Sequence, residues 1–462
     1  MQFGARMSAL GAMELENATW TAEWNRRRML SSNGRSDSPV KLPFELRCFL
    51  AIVVFLCLAS IADGWARWAL NIPSHGFLWL SMPDPYFDLF CYYPRFLHLH
   101  SQEFFSSPGY RWYYPAPAIF GYYPFYRVLE VFHKGRLTRY LYDASALALA
   151  GIAALWLARR LVAEGVQRHS ALLLAFATLL VSWPLYFSLQ RGNIEALTWI
   201  LVAAGLWACA TGRWMFAAVL LGAVGSIKIY PLLCLALFLR PRRFKEIAVA
   251  LLTAALATLA ALRLLERNVA DALHQVLGGL SAFTVQYAQG FDPVASAYDH
   301  SIFGIIKVIT HGSQPNYPHE MNLYFMSAAV VALVWFFTRI IRLPFLNQVV
   351  FVLCCTAALP PVSFDYTLLM MYLPFALLAI FAVQCARQQA PTPGLLPALV
   401  LLAVLVGPET FLVRHGWLYA GQIKGCCLIM LMIVASTHPW PRSPGVRPDK
   451  RASRIAGAPI IE

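Results

Sequence analysis

Charged side chains are scarce in this sequence: 13% of its 462 residues are Asp, Glu, Lys or Arg, whereas 59% are hydrophobic. Soluble domains carry about 25% charged residues, so this scarcity excludes an ordinary soluble protein. The formal net charge of +14 does not indicate nucleic-acid binding, because the basic residues lie in the terminal segments and in short connections between apolar runs. That placement is typical of the orientation signals of integral membrane proteins.

Several catalytic and ligand-binding motifs are also missing. The sequence contains no P-loop, no GxGxxG opening a βαβ unit, no HExxH and no zinc-ligand spacing. Most of the ten cysteines lie within apolar runs without CxxC spacing, which indicates small core residues rather than metal ligands. We therefore expect neither a metal nor a cofactor.

Long apolar runs are what the sequence has instead. A transmembrane helix needs about 20 mostly apolar residues. The runs predict an all-α polytopic membrane protein with about twelve transmembrane helices, the stretch 213–240 holding two short or broken ones. The predicted spans are 48–70, 140–160, 170–188, 193–211, 213–240, 246–264, 323–341, 346–360, 364–385, 393–412 and 417–436.

The basic connections predict the orientation of these spans. With twelve spans, the Lys and Arg clusters fall on the same side as both termini, which is then cytoplasmic. The terminal segments 1–45 and 437–462 are expected to be disordered cytoplasmic tails around a membrane domain at 46–436. Two long loops, 71–139 and 265–322, lie on the opposite side, and loops of this size are usually functional.

One segment of the first loop has two interpretations. Residues 116–132 are marginal in length for a span and are interrupted by Arg127 and Glu130, so we interpret them as an amphipathic helix at the outer membrane surface. The alternative, a thirteenth span, is favoured by Lys134, Arg136 and Arg139, which otherwise lie outside. It would, however, place every later basic cluster outside.

The first loop and the outer end of the third span carry candidate site residues. Asp88 lies among aromatic residues just beyond the first span, where a partly desolvated carboxylate can act as a general base. Tyr114 belongs to an aromatic and proline run that either clamps a substrate or anchors the chain at the interface. Arg191 can bind a phosphate or simply extend to the interface, and Asn193 opens a helix whose N-terminal NH groups favour anions.

Later segments add further candidates on the same predicted side. Lys228 interrupts an apolar stretch, and charges within a membrane are functional hypotheses by default. The run Asp299, His300 and Ser301 has groups that can contact sugar hydroxyls, although a capped helix start explains it equally. Asp365 and Tyr366 stand at the outer end of the tenth span.

The order of these elements resembles glycosyltransferase family 87, whose members are membrane enzymes of the GT-C fold. The resemblance extends over about residues 45–380. It is carried by short motifs in the family's order, and the matching residues are Asp88 and Tyr92, Tyr114-Pro115-Ala116-Pro117, Gly192-Asn193, Gly222 with Lys228 and Pro231, Asp299-His300-Ser301, and Pro361, Ser363, Asp365 and Tyr366. In the branch of the phosphatidylinositol-mannoside mannosyltransferases, a His stands where this chain has Tyr366.

The resemblance implies a GT-C fold and an inverting transfer of a mannose-like hexose from a polyprenyl-phosphate sugar to a lipid or glycan acceptor. Asp88 would be the catalytic base, and Arg191 and Lys228 would stabilise the leaving phosphate. The implied partners are the donor, the acceptor and membrane lipids, without nucleic acid. The implied location is a bacterial plasma membrane, with the site on the extracytoplasmic side. Sugar, acceptor and linkage stay open.

Two other functions are compatible with the same features. A transporter or flippase of a lipid-linked sugar would also need external cations and a broken helix, although we find no convincing internal repeat. An O-antigen polymerase or ligase also carries large external loops with Arg. The position of Asp88 just after the first span favours the glycosyltransferase.

Overall fold

A computed structural model describes residues 41–71, 86–106, 111–310, 317–414 and 417–440 of the chain. Helices account for nearly all of the regular structure within these ranges, and the one sheet there is a hairpin of two-residue strands, β1 (Val413–Arg414) and β2 (Trp417–Leu418). The fold is therefore all-α, as the sequence predicts. Most of the two predicted tails and residues 72–85 of the first loop lie outside the described residues.

Within the described residues, six helices are long and apolar enough to cross a membrane. A seventh span results if α7 (Arg168–Leu179) and α8 (Trp183–Arg191), which meet at a bend of 42°, are counted together. The six are α1 (Phe44–Ala69), α6 (Gly135–Ala163), α11 (Phe244–Leu265), α15 (Pro318–Thr338) continued by the 3-10 turn Ile340–Arg342, the 3-10 helix Asp365–Met371 continued by α17 (Tyr372–Arg387), and α19 (Ala420–Thr437).

The part of the chain that the structure describes has four further apolar helices, which are shorter than a full span. They are α9 (Glu195–Ala210), α10 (Trp214–Ile227), α16 (Phe345–Ala358) and α18 (Leu395–Val406). The stretch 213–240 is broken as predicted. The helix α10 ends at Ile227, and a 3-10 helix, Tyr230–Phe238, follows with Pro231 as its second residue. These short helices make the total of twelve spans a prediction rather than a count.

The first long loop contains helices of its own. They are α2 (Phe87–Phe90), α3 (Tyr93–Phe96), α4 (Glu103–Ser106) and α5 (Ala118–Phe132). The predicted helix at 116–132 thus exists, and at fifteen residues it is too short for a span. Its buried side chains Tyr122 and Tyr126 pack in an aromatic cluster with Leu89. Its place at the membrane surface stays a prediction.

The second loop is also largely helical. It contains α12 (Val269–Phe283), a π-helical turn Thr284–Gln289, α13 (Pro293–Ser296) and α14 (Ile302–Ile309). The buried apolar residues that the structure describes form four separate cores: a large one, a smaller aromatic one beneath the first loop, and two small ones around Trp183 and Phe303. The polar residues discussed below lie where helices are interrupted between these cores.

Candidate functional site

Asp88 lies in the short helix α2 and is almost entirely buried, with 8% of its surface exposed. Its two carboxylate oxygens have different partners. Arg191 Nη2 donates to Oδ1 over 3.0 Å, and Asn193 Nδ2 donates to Oδ2 over 2.7 Å. An ionised carboxylate has about four acceptor positions, so one bond to each oxygen still leaves room for a further donor. Asp88 is thus held by two side chains and can still accept a proton.

The contact between α2 and the end of α8 requires a glycine at position 192. Gly192 has φ +65° and follows the last residue of α8, where a left-handed conformation ends the helix. A Cβ at this position would lie 2.6 Å from Leu89 Cβ. The amide of Tyr86 also donates to the carbonyl of Gln190 over 2.6 Å. The loop that carries Asp88 is therefore fixed directly against the residues that carry Arg191 and Asn193.

Asn193 connects Asp88 to the aromatic side chains around it. Its Nδ2 also donates to Tyr114 Oη over 2.9 Å, and its Oδ1 accepts from Lys228 Nζ at 3.3 Å. Tyr142 Oη donates to its backbone carbonyl over 2.6 Å. The ring of Tyr92 packs edge-on against Tyr114 with centroids 5.8 Å apart. Tyr92 thus supports Tyr114 rather than Asp88 directly.

Lys228 lies at the break after α10, with 8% of its surface exposed. Its ammonium group forms an ion pair with Glu195, whose other carboxylate oxygen accepts a hydrogen bond from Tyr230. The same ammonium group lies 4.4 Å from the centroid of the Tyr366 ring, which is within cation–π distance. The structure thus brings together Asp88, Arg191, Asn193, Lys228 and the rings of Tyr114 and Tyr366, in one group that we call the Asp88 cluster.

Asp365 belongs to a different group of contacts. Its buried carboxylate accepts from Lys424 Nζ over 2.8 Å and from the indole of Trp183. His300 Nδ1 lies 3.3 Å from the same carboxylate, and Thr367 Oγ1 is 3.0 Å from His300 Nε2. These partners, and not the Asp88 cluster, hold Asp365 and His300.

Asp299 and Ser301 organise the start of α14. Ser301 Oγ accepts from the amide of Gly304 over 2.8 Å, which is the capped helix start that the sequence also allowed. Asp299 Oδ1 accepts from the amides of Ser301 and Ser363. Burial raises the pKa of Asp299, and it lowers that of Lys307, whose Nζ lies 3.9 Å away. Contact of Asp299, His300 and Ser301 with a substrate stays a prediction.

Sequence reasoning missed several buried ionisable residues, among them Glu195, Lys424 and Glu409. Glu195 and Lys424 are fully buried within apolar helices, and the rule that flagged Lys228 applies equally to both. Glu409 follows α18, is 1% exposed, and has no hydrogen bond to either carboxylate oxygen within the described part of the chain. Burial raises the pKa of Glu409 to about 8. Glu409 lies three residues beyond the end of α18 but within the predicted span 393–412, so the rule that flagged Lys228 applies to it as well.

A metal site is not apparent in the described ranges, where no three His, Cys, Asp or Glu side chains come together to hold an ion. The prediction that no metal takes part is not tested by this observation. The ionisable groups around Asp88 are instead two acids and two bases, arranged as the ion pairs Asp88–Arg191 and Glu195–Lys228. In such an arrangement a carboxylate can take up a proton, and the cationic side chains can hold an anion.

Comparison with known proteins gives one match. The sequence model of glycosyltransferase family 87 matches residues 112–357, more than half of the 462-residue chain. The matched region includes Tyr114, Arg191, Asn193 and Lys228, whereas Asp88 precedes it. No curated protein and no solved structure matches the chain.

Proposed function

This chain belongs to glycosyltransferase family 87, and we propose that it transfers a mannose-like hexose from a polyprenyl-phosphate sugar to a lipid or glycan acceptor, with inversion at the anomeric carbon. The observation that carries the proposal is the Asp88 cluster: a buried carboxylate, held by two donors, beside two buried or half-buried cations. We propose further that the fold is of the GT-C type with about twelve spans.

Asp88 is the proposed base. The acceptor hydroxyl gives its proton to a free lone pair of the Asp88 carboxylate while its oxygen attacks the anomeric carbon. The bond between that carbon and the phosphate oxygen breaks, and the phosphate leaves with the electron pair. A base positioned in this way contributes typically 10²–10⁴-fold to the rate.

Arg191 and Lys228 are the proposed partners of the phosphate. Negative charge grows on the phosphate as the bond to the sugar breaks, so cations fixed near it stabilise the transition state more than the ground state. Arg191 is the more accessible of the two, with 31% of its side chain exposed, and its fork geometry suits phosphate oxygens. Because these cations bind the phosphate, the proposed reaction needs no metal.

Tyr114 and Tyr366 are the proposed walls for the sugar or for the first prenyl units. The centroids of their rings lie 5.8 Å and 4.4 Å from Nζ of Lys228, so both rings are next to a proposed phosphate partner. Asp299, His300, Ser301 and Asp365 are proposed only as more distant supports of substrate binding. Their contacts in the structure are to one another and to neighbouring protein groups.

The reaction is tested with purified protein, a panel of polyprenyl-phosphate sugars and mass spectrometry of the lipid products. Asp88→Asn keeps the shape of the side chain and removes the base, so we expect turnover to fall at least hundredfold while donor binding persists. Asp271→Asn is the matched control, because Asp271 is an exposed acid on α12. Full activity of Asp88→Asn would refute the assignment of the base, and no product from any donor would refute the donor class.

The proposed location of the site is extracytoplasmic, in a bacterial plasma membrane. Reporter fusions at residues 136 and 165, which flank most of α6, test the orientation. We expect the fusion at 136 to report the outside and the fusion at 165 to report the cytoplasm. The same side for both would refute the topology without affecting the identity of the base.

A further inference from the structure

Glu195 is a buried acid to which the proposed reaction gives no role. It begins α9, two residues after Asn193, and its side chain is fully buried. Its carboxylate engages Lys228 and the hydroxyl of Tyr230. Glu195 therefore lies directly behind a proposed phosphate partner, not beside the group that would take the acceptor proton.

Four neighbouring charged groups, those of Asp88, Glu195, Arg191 and Lys228, carry formal charges that add up to zero. Asp88 and Glu195 contribute two negative charges, and Arg191 and Lys228 contribute two positive charges. Without Glu195 the same site would carry one excess positive charge. One unit charge in a buried site is enough to change the affinity for a charged ligand at least tenfold.

Substrate and product of the proposed reaction differ in charge. The donor is a phosphodiester with one negative charge, whereas the released prenyl phosphate is a monoester with a second pKa of about 6 and close to two negative charges at neutral pH. During transfer the acceptor proton moves to Asp88 and the new negative charge moves to the phosphate. The product therefore faces Arg191 and Lys228, with Glu195 as the remaining ionised acid among these four groups.

We propose that Glu195 is a specificity-determining residue that sets the charge of this site, so that the dianionic monoester is not held more tightly than the monoanionic phosphodiester and can be released. The inference rests on the proposed function, because it takes the ligand to be a prenyl phosphate derivative. Glu195 also occupies the first turn of α9, where the helix dipole favours an anion. Its carboxylate thus competes with a bound phosphate for both Lys228 and the helix terminus.

The experiment measures binding rather than turnover. Farnesyl monophosphate and its methyl diester are titrated at pH 7.5 against detergent-purified protein, using Glu195→Gln, Tyr230→Phe and the wild type. Glu195→Gln keeps the shape of the side chain and removes its charge, so we expect at least tenfold tighter binding of the monoester. The gain in binding energy scales with ligand charge, so the gain for the monoester should be close to the square of the gain for the diester.

Two controls separate charge from structure. Tyr230→Phe removes a hydrogen bond to Glu195 but keeps its charge, and we expect affinities within about threefold of wild type. Glu246→Gln also removes one negative charge, but near the start of α11. The other end of that helix, at Leu265, contacts the first loop, so we expect Glu246→Gln to change the affinity for neither probe. The wild-type protein provides a test that needs no variant: a site of zero net charge should bind both probes within about threefold of each other.

The outcomes distinguish this inference from the proposed function. If neither probe binds the wild-type protein, the proposed donor class is wrong. If both probes bind but Glu195→Gln gains nothing, or gains equally for both, Glu195 does not set the charge of the site. A tenfold preference of the wild type for the monoester would overturn the inference as well.

Discussion

Gly192→Ala is the substitution whose effect follows most directly from the structure. The left-handed conformation at φ +65° costs a non-glycine residue about 1–2 kcal/mol. The new methyl group would also lie 2.6 Å from Leu89 Cβ and 3.1 Å from the Leu89 amide nitrogen. Since carbon atoms pack at about 3.5–4.0 Å, α2 must move by about 1 Å, and Leu89 is the neighbour of Asp88.

A displacement of this size should reduce the rate more than the stability. Misplacing a reacting group by about 1 Å can cost roughly hundredfold in rate. We therefore expect Gly192→Ala to lower kcat about hundredfold per folded molecule. The measurement is the initial rate at saturating donor, normalised to the monodisperse fraction in size-exclusion chromatography, together with the thermal denaturation midpoint.

Gly212→Ala is the matched control for backbone strain. Gly212 has φ +79°, and a Cβ there would have no heavy atom within 4 Å. Both variants should therefore lose a similar amount of thermal stability from the left-handed conformation. Only Gly192→Ala should lose activity. An equal loss of activity in both variants, or an unchanged rate in Gly192→Ala, would refute the view that the contact between Gly192 and Leu89 positions Asp88.

Two further substitutions test individual side chains. Arg191→Lys replaces a planar guanidinium group by a point charge, and a lost hydrogen bond between charged groups costs about 1.5–3 kcal/mol. We therefore expect kcat/KM for the donor to fall roughly 10- to 150-fold, whereas the control Arg213→Lys should leave it unchanged. An unchanged kcat/KM in Arg191→Lys would contradict the proposed role of Arg191. Burial raises the pKa of Glu409 to about 8 in the folded state, so the folded state loses stability as pH rises from the ordinary Glu value towards 8. Glu409→Gln should abolish this loss, which amounts to at most roughly 5 kcal/mol. We expect the variant to have a higher thermal denaturation midpoint than the wild type at pH 9 but not at pH 5, and parallel midpoint curves against pH would contradict this.

The sequence predicted much of the Asp88 cluster because its members interrupt apolar runs. Arg191, Asn193 and Lys228 each stand where a helix ends or begins, next to Gly192 or close to Pro231. Such interruptions are visible in the sequence, since glycine and proline mark them. In the structure, these residues lie together with Asp88.

The division into two groups could not be predicted. Hydropathy and span order give the depth of a residue along the membrane normal, but not its position around the helix bundle. Span order predicts that Asp365 lies on the same membrane side as Asp88, but it does not predict that Lys424 and Trp183 hold the Asp365 carboxylate. That position depends on which helices pack together, and the hydrophobic periodicity of a single sequence does not show which helices are neighbours.

Glu195 shows how a shared physical rule can miss a residue. A buried carboxylate in an apolar helix is as costly as a buried ammonium group, so the sequence position of Glu195, two residues after Asn193, already indicates a candidate residue. What the sequence hides is its partner, because Lys228 is 33 positions away and on the other side of a helical hairpin. A buried acid and a buried base that are each costly alone become tolerable as a pair. The interruptions after α8 and α10 therefore have a common consequence: they place the ion pair Glu195–Lys228 next to the ion pair Asp88–Arg191. Under the proposed function, the four charges of these pairs balance until a substrate brings its own charge.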